Sequence, residues 1–302
     1  FKHSESALVF NTGYMTNLGV LYGLLQTGDV VFSDELNHAS IIDGCRISRC
    51  KVVVYKHNDM ADLQRLLETE IVTGQRFIVT DGVFSMDGDI ADLPSLAVLK
   101  KQFNAFLIVD DAHGVGVIGN DGSGTASHYG LTDVIDLQVG TLSKALAAEG
   151  GYVAGKKILI DYLINRSRPF IFSTALAPAT LAAANAALLL LQTQASKYLD
   201  SLRANSRLMR RLLLEGGLNV VEGITPIIPV VIGEAGLTMQ FADRLKSKGI
   251  LVSGIRPPTV PRGESRLRIT VTAAHCEEQL RQAAQIITAL WQELKHGEKK
   301  EG

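Results

Sequence analysis

Two side chains carry the chemistry that this sequence offers most clearly, a lysine and an aspartate. Lys144 ends the stretch Thr141-Leu-Ser-Lys144, just past an apolar run and in a Gly-rich setting. An amine in apolar surroundings, with its pKa drawn down by burial, can stay neutral and attack a carbonyl to form a Schiff base. Asp110 ends Phe106-Leu-Ile-Val-Asp110, an apolar run that reads as a buried parallel strand. Ligands of open α/β sheets collect at such carboxyl ends. A buried carboxylate there needs a cationic partner, and the protonated ring nitrogen of a Lys-bound pyridoxal phosphate (PLP) would supply one.

The same region admits two other readings. Gly114-Val-Gly116-Val-Ile-Gly119 fits the dinucleotide pattern G-x-G-x-x-G and follows a strand, as a nicotinamide oxidoreductase would require. Asn120-Asp-Gly-Ser-Gly-Thr125 comes next, where a helix should open, so a pyrophosphate would have no helix dipole to sit on. Asp110, Asp111 and His113 could instead bind a metal, but nothing nearby completes a ligand set with a recognisable spacing. No metal is expected.

These residues must be positioned by a framework, and the apolar pattern supplies it. Strands are predicted at Ala7–Phe10, Val30–Phe32, Val52–Tyr55, Phe77–Thr80, Phe106–Asp110 and Val134–Gly140, alternating with helices at Met60–Leu67 and Leu93–Phe103 and after Thr12 and Ile41. That alternation implies a mostly parallel sheet wrapped by helices on both faces. The strand reaching Gly140 would deliver Thr141 and Lys144 to the same edge as Asp110. Beyond about residue 194 the composition changes to a charged helix, Lys197–Leu214, then strands around Ile227–Ile232, at Ile250–Val252 and at Arg266–Thr270, with helices between and after them. Two domains are therefore expected, 1–194 and a smaller α+β unit, 195–302.

Several connections along this framework carry candidate ligands. Asn11-Thr12-Gly13-Tyr14 joins the first strand to a helix, and its freed amides could cradle a phosphate, or could be an ordinary capped helix start. His38, on a strand-to-helix connection, could stack on a cofactor ring, shuttle a proton or simply cap the helix. Ser85 lies in Asp81-Gly-Val-Phe-Ser85-Met-Asp-Gly-Asp89, at another strand end, and could hold a cofactor substituent or be a surface turn. Ser173-Thr174 precedes a long Ala/Leu-rich helix, which the pair could cap, or it could contact phosphate. Arg256, stiffened by Pro257 and Pro258, suits bidentate carboxylate binding or is a surface arginine.

Composition narrows the classes. With 302 residues, 46% hydrophobic and 20% charged, the chain can bury a sizeable core. Its 30 basic and 31 acidic residues give a net charge of -1, which offers no field to draw nucleic acid or an anionic membrane. Three cysteines without a C-x-x-C suit a reducing cytoplasm. The longest apolar stretch, Leu176–Leu191, is shorter than a membrane span and holds Pro178 and Asn185.

Taken in order, Thr12-Gly-Tyr14, Asn37-His-Ala-Ser40, Gly82-Val-Phe-Ser85-Met-Asp-Gly88, Val109-Asp-Asp-Ala-His113-Gly114, Thr141-Leu-Ser-Lys144 and Arg256-Pro-Pro-Thr-Val-Pro261 resemble the α-oxoamine synthases, which are fold-type I PLP enzymes. The similarity covers nearly the whole chain. It implies that Lys144 carries the cofactor, Asp110 pairs with its ring nitrogen and His38 stacks on the ring. His113 and Ser85 would contact the pyridoxal oxygen, with Thr12, Gly13, Tyr14 and Thr141 helping to hold the cofactor and its phosphate. Ser173 and Thr174 would reach the phosphate of a neighbouring subunit, which implies a homodimer with shared active sites. Arg256 and Thr259, with His38, would meet the substrate.

The implied reaction condenses a small amino acid with an acyl-CoA or acyl-carrier-protein thioester and releases carbon dioxide. Within the family the best match uses L-alanine and a pimeloyl thioester. The alternatives are glycine C-acetyl transfer and a noncatalytic truncated subunit of the same fold. Family members carry a substantial segment before Thr12 that helps close the substrate site, whereas eleven residues precede it here. Recognition of the acyl chain is not carried over.

Overall fold

The computed structural model describes residues 1–301, with side chains through residue 295. The chain order is β1 (Ser6–Phe10), α1 (Gly13–Leu24), β2 (Val30–Asp34), α2 (Ala39–Ser48), β3 (Lys51–Tyr55), α3 (Met60–Thr69), β4 (Arg76–Asp81), α4 (Leu93–Gln102), β5 (Phe106–Asp110) and α5 (Thr125–His128). Then come β6 (Leu137–Thr141), β7 (Gly151–Gly155), α6 (Lys157–Arg166), α7 (Arg168–Ile171), α8 (Pro178–Glu215), β8 (Ile227–Gly233), α9 (Ala235–Ser247), β9 (Ser253–Ile255), β10 (Ser265–Thr270) and α10 (Glu277–Glu301). Two compact units result: residues 1–84 with 90–196, and residues 85–89 with 197–302.

The first unit is built on a seven-stranded sheet in the order β1-β7-β6-β5-β4-β2-β3. β2, β3, β4, β5 and β6 pair in parallel, and only β7 runs against its neighbours. The period of two along each strand sends alternate side chains to opposite faces. On β4 and β5, Phe77, Val79 and Ile108 enter one core with Val20 and Leu21 of α1, Ile41 of α2 and Leu163 of α6. Ile78, Leu107 and Val109 enter the other, with Leu63 and Leu67 of α3 and Leu93, Leu96 and Leu99 of α4. Helices on both faces explain why these strands read as continuous apolar runs rather than alternating ones.

Short polar residues set the helix starts. Asp59 accepts from Asp62 N at the start of α3, and Asp92 caps α4 with Pro94 in its first turn. β6 begins at Leu137 rather than Val134, because Val134 and Ile135 close a turn onto the carbonyl of Leu131. The charged segment after residue 194 is a helix of its own, counted with the Ala/Leu-rich one as α8 but set off from it by non-helical backbone at Gln194 (φ -136).

The Gly-rich crossover after β5 resolves one of the alternative readings. Its turn is followed by α5, a single four-residue turn, so no helix N-terminus faces a pyrophosphate. What the glycines enclose is Asp111. Lys2 pairs with its Oδ2 at 2.9 Å, and Thr125 donates its backbone N–H and, at 2.9 Å to Oδ1, its hydroxyl. Gly124 has φ +110, and a Cβ there would collide with that carboxylate. Asp111 is thus paired with Lys2 and Thr125.

The second unit holds a three-stranded antiparallel sheet, β8-β10-β9, covered by α9 and α10 and by the last turns of α8. Phe241 and Trp291 stack in its core with centroids 5.7 Å apart. The strand expected at Ile250–Val252 is displaced to Ser253–Ile255, and Leu251 stands 85% exposed. Among the described residues no helix is long and apolar enough to cross a membrane.

Candidate active site

The carboxyl ends of β4, β5 and β6 bring the candidate acid and amine of the first unit to one edge. Asp110 is buried at the end of β5, where its Oδ2 accepts from Asn17 Nδ2 of α1 at 2.5 Å and its Oδ1 from the Ala112 N–H at 3.0 Å. Two donors fix the plane of the carboxylate. Beside it, Asp81 ends β4 as the cross-strand partner of Asp110 and accepts the His38 N–H at 3.1 Å. Burial, and next the Asp110 carboxylate, push Asp81 well above the usual carboxylate range, and the His38 N–H and the Lys144 charge oppose that shift. Asp81 is therefore held toward its neutral form.

Lys144 lies three residues beyond β6, close enough for its charge to act on Asp81. Its side chain is exposed, contrary to the apolar enclosure expected from the flanking sequence. The reason is that Leu142 and Leu146 turn into the core while Ser143 and Lys144 face out. Backbone bonds from Leu142 N to Gly150 O (2.9 Å) and from Ala147 N to Lys144 O (3.1 Å) close this loop.

A helix start faces the same edge. Thr12 caps α1 by accepting Met15 N at 3.0 Å, which leaves the N–H groups of Gly13 and Tyr14 with no acceptor inside the helix. The capped helix start is what the backbone shows, and its freed amides could also cradle a phosphate. Gly13 packs on β6 and β7: a Cβ on Gly13 would stand 3.3 Å from Thr141 Cβ, and one on Gly151 would stand 2.7 Å from Gly13 N. Thr141 donates to Gly150 O at 3.0 Å and shares a 2.7 Å bond with Ser143. Tyr14 donates its hydroxyl to Asp43 of α2 at 2.5 Å, and that bond raises its pKa. Anion-binding amides, a tight glycine approach and a hydroxyl neighbour make a cradle that fits a phosphate.

His38 caps α2 and is exposed. Its Nδ1 lies 2.7 Å from Ser40 Oγ, which in turn accepts from Asn17 Nδ2 at 2.8 Å, so the imidazole and Asp110 share one hydrogen-bonded frame. His113 is half-buried in the turn that follows β5. Ser173 and Thr174 lie on the connection before α8, where the Thr174 carbonyl accepts from Asn11 Nδ2 at 2.8 Å, next to Thr12.

Ser85, Arg256 and Thr259 belong to the second unit. There the Ser85–Asp89 segment is tied to β10: Arg268 Nε donates to the Ser85 carbonyl, Arg266 pairs with Asp87, and Thr225 donates to Gly88 O at 2.6 Å. Arg256 and Thr259 are exposed on a turn closed by Thr259 N to Arg256 O at 3.1 Å. Among the described residues the Arg256 guanidinium makes no hydrogen bond or ion pair, whereas Arg268 also donates to Thr270 Oγ1 at 3.1 Å.

Sequence reasoning missed Asp81, Asn17, Ser40 and Arg268. Asp81 carried the same signal as Asp110, an acid at the end of an apolar run, and could have been found. Asn17 looks like any polar residue on a helix, and its partner is 93 residues away.

Comparison with known proteins gives a consistent result. A family model described as aminotransferase class I and II matches residues 1–287. The 8-amino-7-oxononanoate synthase of Lysinibacillus sphaericus is 51% identical over 280 residues, 93% of this chain and 72% of that protein. A solved structure of SPT with a PLP internal aldimine superposes with a TM-score of 0.93 at 31% identity, over 97% of this chain and 74% of the other. The 8-amino-7-oxononanoate synthase of Francisella tularensis superposes with a TM-score of 0.82 at 31% identity, over 98% and 84%.

Proposed function

The chain belongs to the aminotransferase class I and II family, with the fold of the fold-type I PLP transferases, and we propose that it is a PLP-dependent acyltransferase of the α-oxoamine synthase kind. Its reaction joins a small L-amino acid to an acyl thioester, releasing the thiol and carbon dioxide. L-Alanine and pimeloyl-CoA, or the pimeloyl carrier-protein thioester, are the substrates, and 8-amino-7-oxononanoate is the product. Half identity over most of the chain to a relative named for that product supports the choice of substrates. The observation that carries the reading is the placement of Asp110 and Lys144 beyond neighbouring parallel strands of one sheet edge, beside the α1 amides.

The residues present fit PLP. Gly13, Tyr14, Thr12 and Thr141 would hold its phosphate, joined by Ser173 and Thr174 from the other subunit of a homodimer. Asp110, with its carboxylate fixed by Asn17 and Ala112, would keep the ring nitrogen protonated. His38 would cover one ring face, and His113 and Ser85 would hold the ring hydroxyl oxygen. When bound, PLP supplies the electron sink that makes an amino acid's Cα–H acidic. Lys144 Nζ would take that proton, which its exposed, loop-borne position allows. The enzyme would work in the cytoplasm.

For the amino-acid carboxylate, two guanidiniums of the second unit compete. The Arg256 guanidinium makes no bond among the described residues, while that of Arg268 is fixed on β10 by the Ser85 carbonyl and Thr270. A pre-oriented fork loses less entropy on binding, which favours Arg268. Replacing Arg268 with methionine should raise KM for the amino acid ~30-fold, the worth of a charged hydrogen bond. The same change at Arg256 should raise it less than about threefold. The opposite ranking in steady-state kinetics would return the role to Arg256.

Thiol release tests the whole reading. Alanine with pimeloyl-CoA should free CoA and carbon dioxide in equal amounts. Release only from glycine with acetyl-CoA would move the assignment to glycine C-acetyl transfer, and no release from any pair would overturn it.

A further inference from the structure

Hydrogen-bond direction in the frame beneath His38 leaves little freedom for its proton. A carboxylate only accepts, so the group of Asn17 that faces Asp110 Oδ2 at 2.5 Å must be its NH₂. The other proton of that amide points to Ser40 Oγ at 2.8 Å. The Ser40 hydroxyl, whose oxygen accepts from Asn17, lies 2.7 Å from His38 Nδ1 with its own proton to give. The Ser40 backbone N–H also points at Nδ1, at 3.2 Å. Two donors converge on one ring nitrogen.

We infer that Asn17 and Ser40 are positioning residues that lock neutral His38 into the tautomer with its proton on Nε2. Asn17 is 3% and Ser40 1% exposed, so water does not compete for these bonds. The Asp81 carboxyl holds the His38 main chain from the other side at 3.1 Å. His38 Nε2 then works as a hydrogen-bond donor and cannot serve as a base, which leaves the proton transfer to Lys144. The tautomer follows from the geometry alone, and its consequence for the reaction rests on the acyltransferase reading above.

Nitrogen NMR of histidine-labelled protein without cofactor, at a pH where the ring is neutral, reads the tautomer directly. The His38 signals, assigned by their loss in His38→Gln, should show protonated Nε2 and bare Nδ1. In Ser40→Ala and Asn17→Ala the Nε2–H population should fall, and Ser40→Thr, which keeps the hydroxyl, should restore it. In the loaded enzyme Ser40→Ala should lower kcat about tenfold, the worth of one well-placed hydrogen bond, and Ser40→Thr should recover it. Protonated Nδ1 in the wild-type protein, or the same tautomer ratio in wild type, Ser40→Ala and Asn17→Ala, would overturn the inference. Neither result depends on whether the protein turns over alanine.

Discussion

Replacing Lys144 with alanine should lower kcat for thiol release by at least about 10³-fold, because one amine serves both to hold the cofactor and to move the Cα proton. The loss should come without unfolding. Lys144 is exposed, and the bonds that close its loop, Leu142 N to Gly150 O and Ala147 N to Lys144 O, are made by backbone atoms that alanine keeps. Urea unfolding of the variant should therefore still show one cooperative transition, with any change in stability set by the lost charge of Lys144 beside Asp81. A Lys144→Ala protein that keeps a tenth of the parent activity would remove this lysine from the chemistry.

Asp110→Asn is the second large effect, and it acts differently. The carboxamide keeps the shape but loses the charge that would hold a proton on the ring nitrogen, so turnover should fall about 10²-fold or more. It also sets an NH₂ donor against a group that now donates to Asp110, either Asn17 Nδ2 or the Ala112 N–H. That conflict should cost ~1–3 kcal/mol of stability, the penalty for an unsatisfied buried donor. Parallel assays of turnover and denaturant unfolding separate the two terms. Half the parent turnover in Asp110→Asn would mean that the charge is not used.

Much of this site was legible because its residues stand at the ends of apolar runs. Phe106–Asp110 is buried on both faces, so its hydrophobicity marked both the strand and the position of the acid. The helix start at Thr12 was visible from its capping chemistry. Local composition could not show which way Lys144 points, because Leu142 and Leu146 take the core positions around it. Nor could it show that the glycines after β5 enclose Asp111, since Lys2 and Thr125 reach that carboxylate from 109 and 14 residues away.

Long-range bonds were the main blind spot. The frame from Asp110 through Asn17 and Ser40 to His38 joins three separate elements, and no spacing rule links them. The Ser85–Asp89 segment follows β4 in the chain yet belongs with the second unit, because Arg266, Arg268 and Thr225 hold it there. Ile250–Val252 misled in the opposite sense. Three apolar residues in a row suggested a strand, but Ile250 and Val252 pack on the core from outside the sheet while Leu251 stands 85% exposed.

Borohydride reduction of the PLP-treated protein, followed by peptide mass mapping, tests the central claim most directly. A single pyridoxyl adduct on the amine of Lys144, formed with loss of the yellow absorbance and absent from Lys144→Ala, is the predicted result. A label on another lysine, or a protein that takes up no PLP at all, would contradict it.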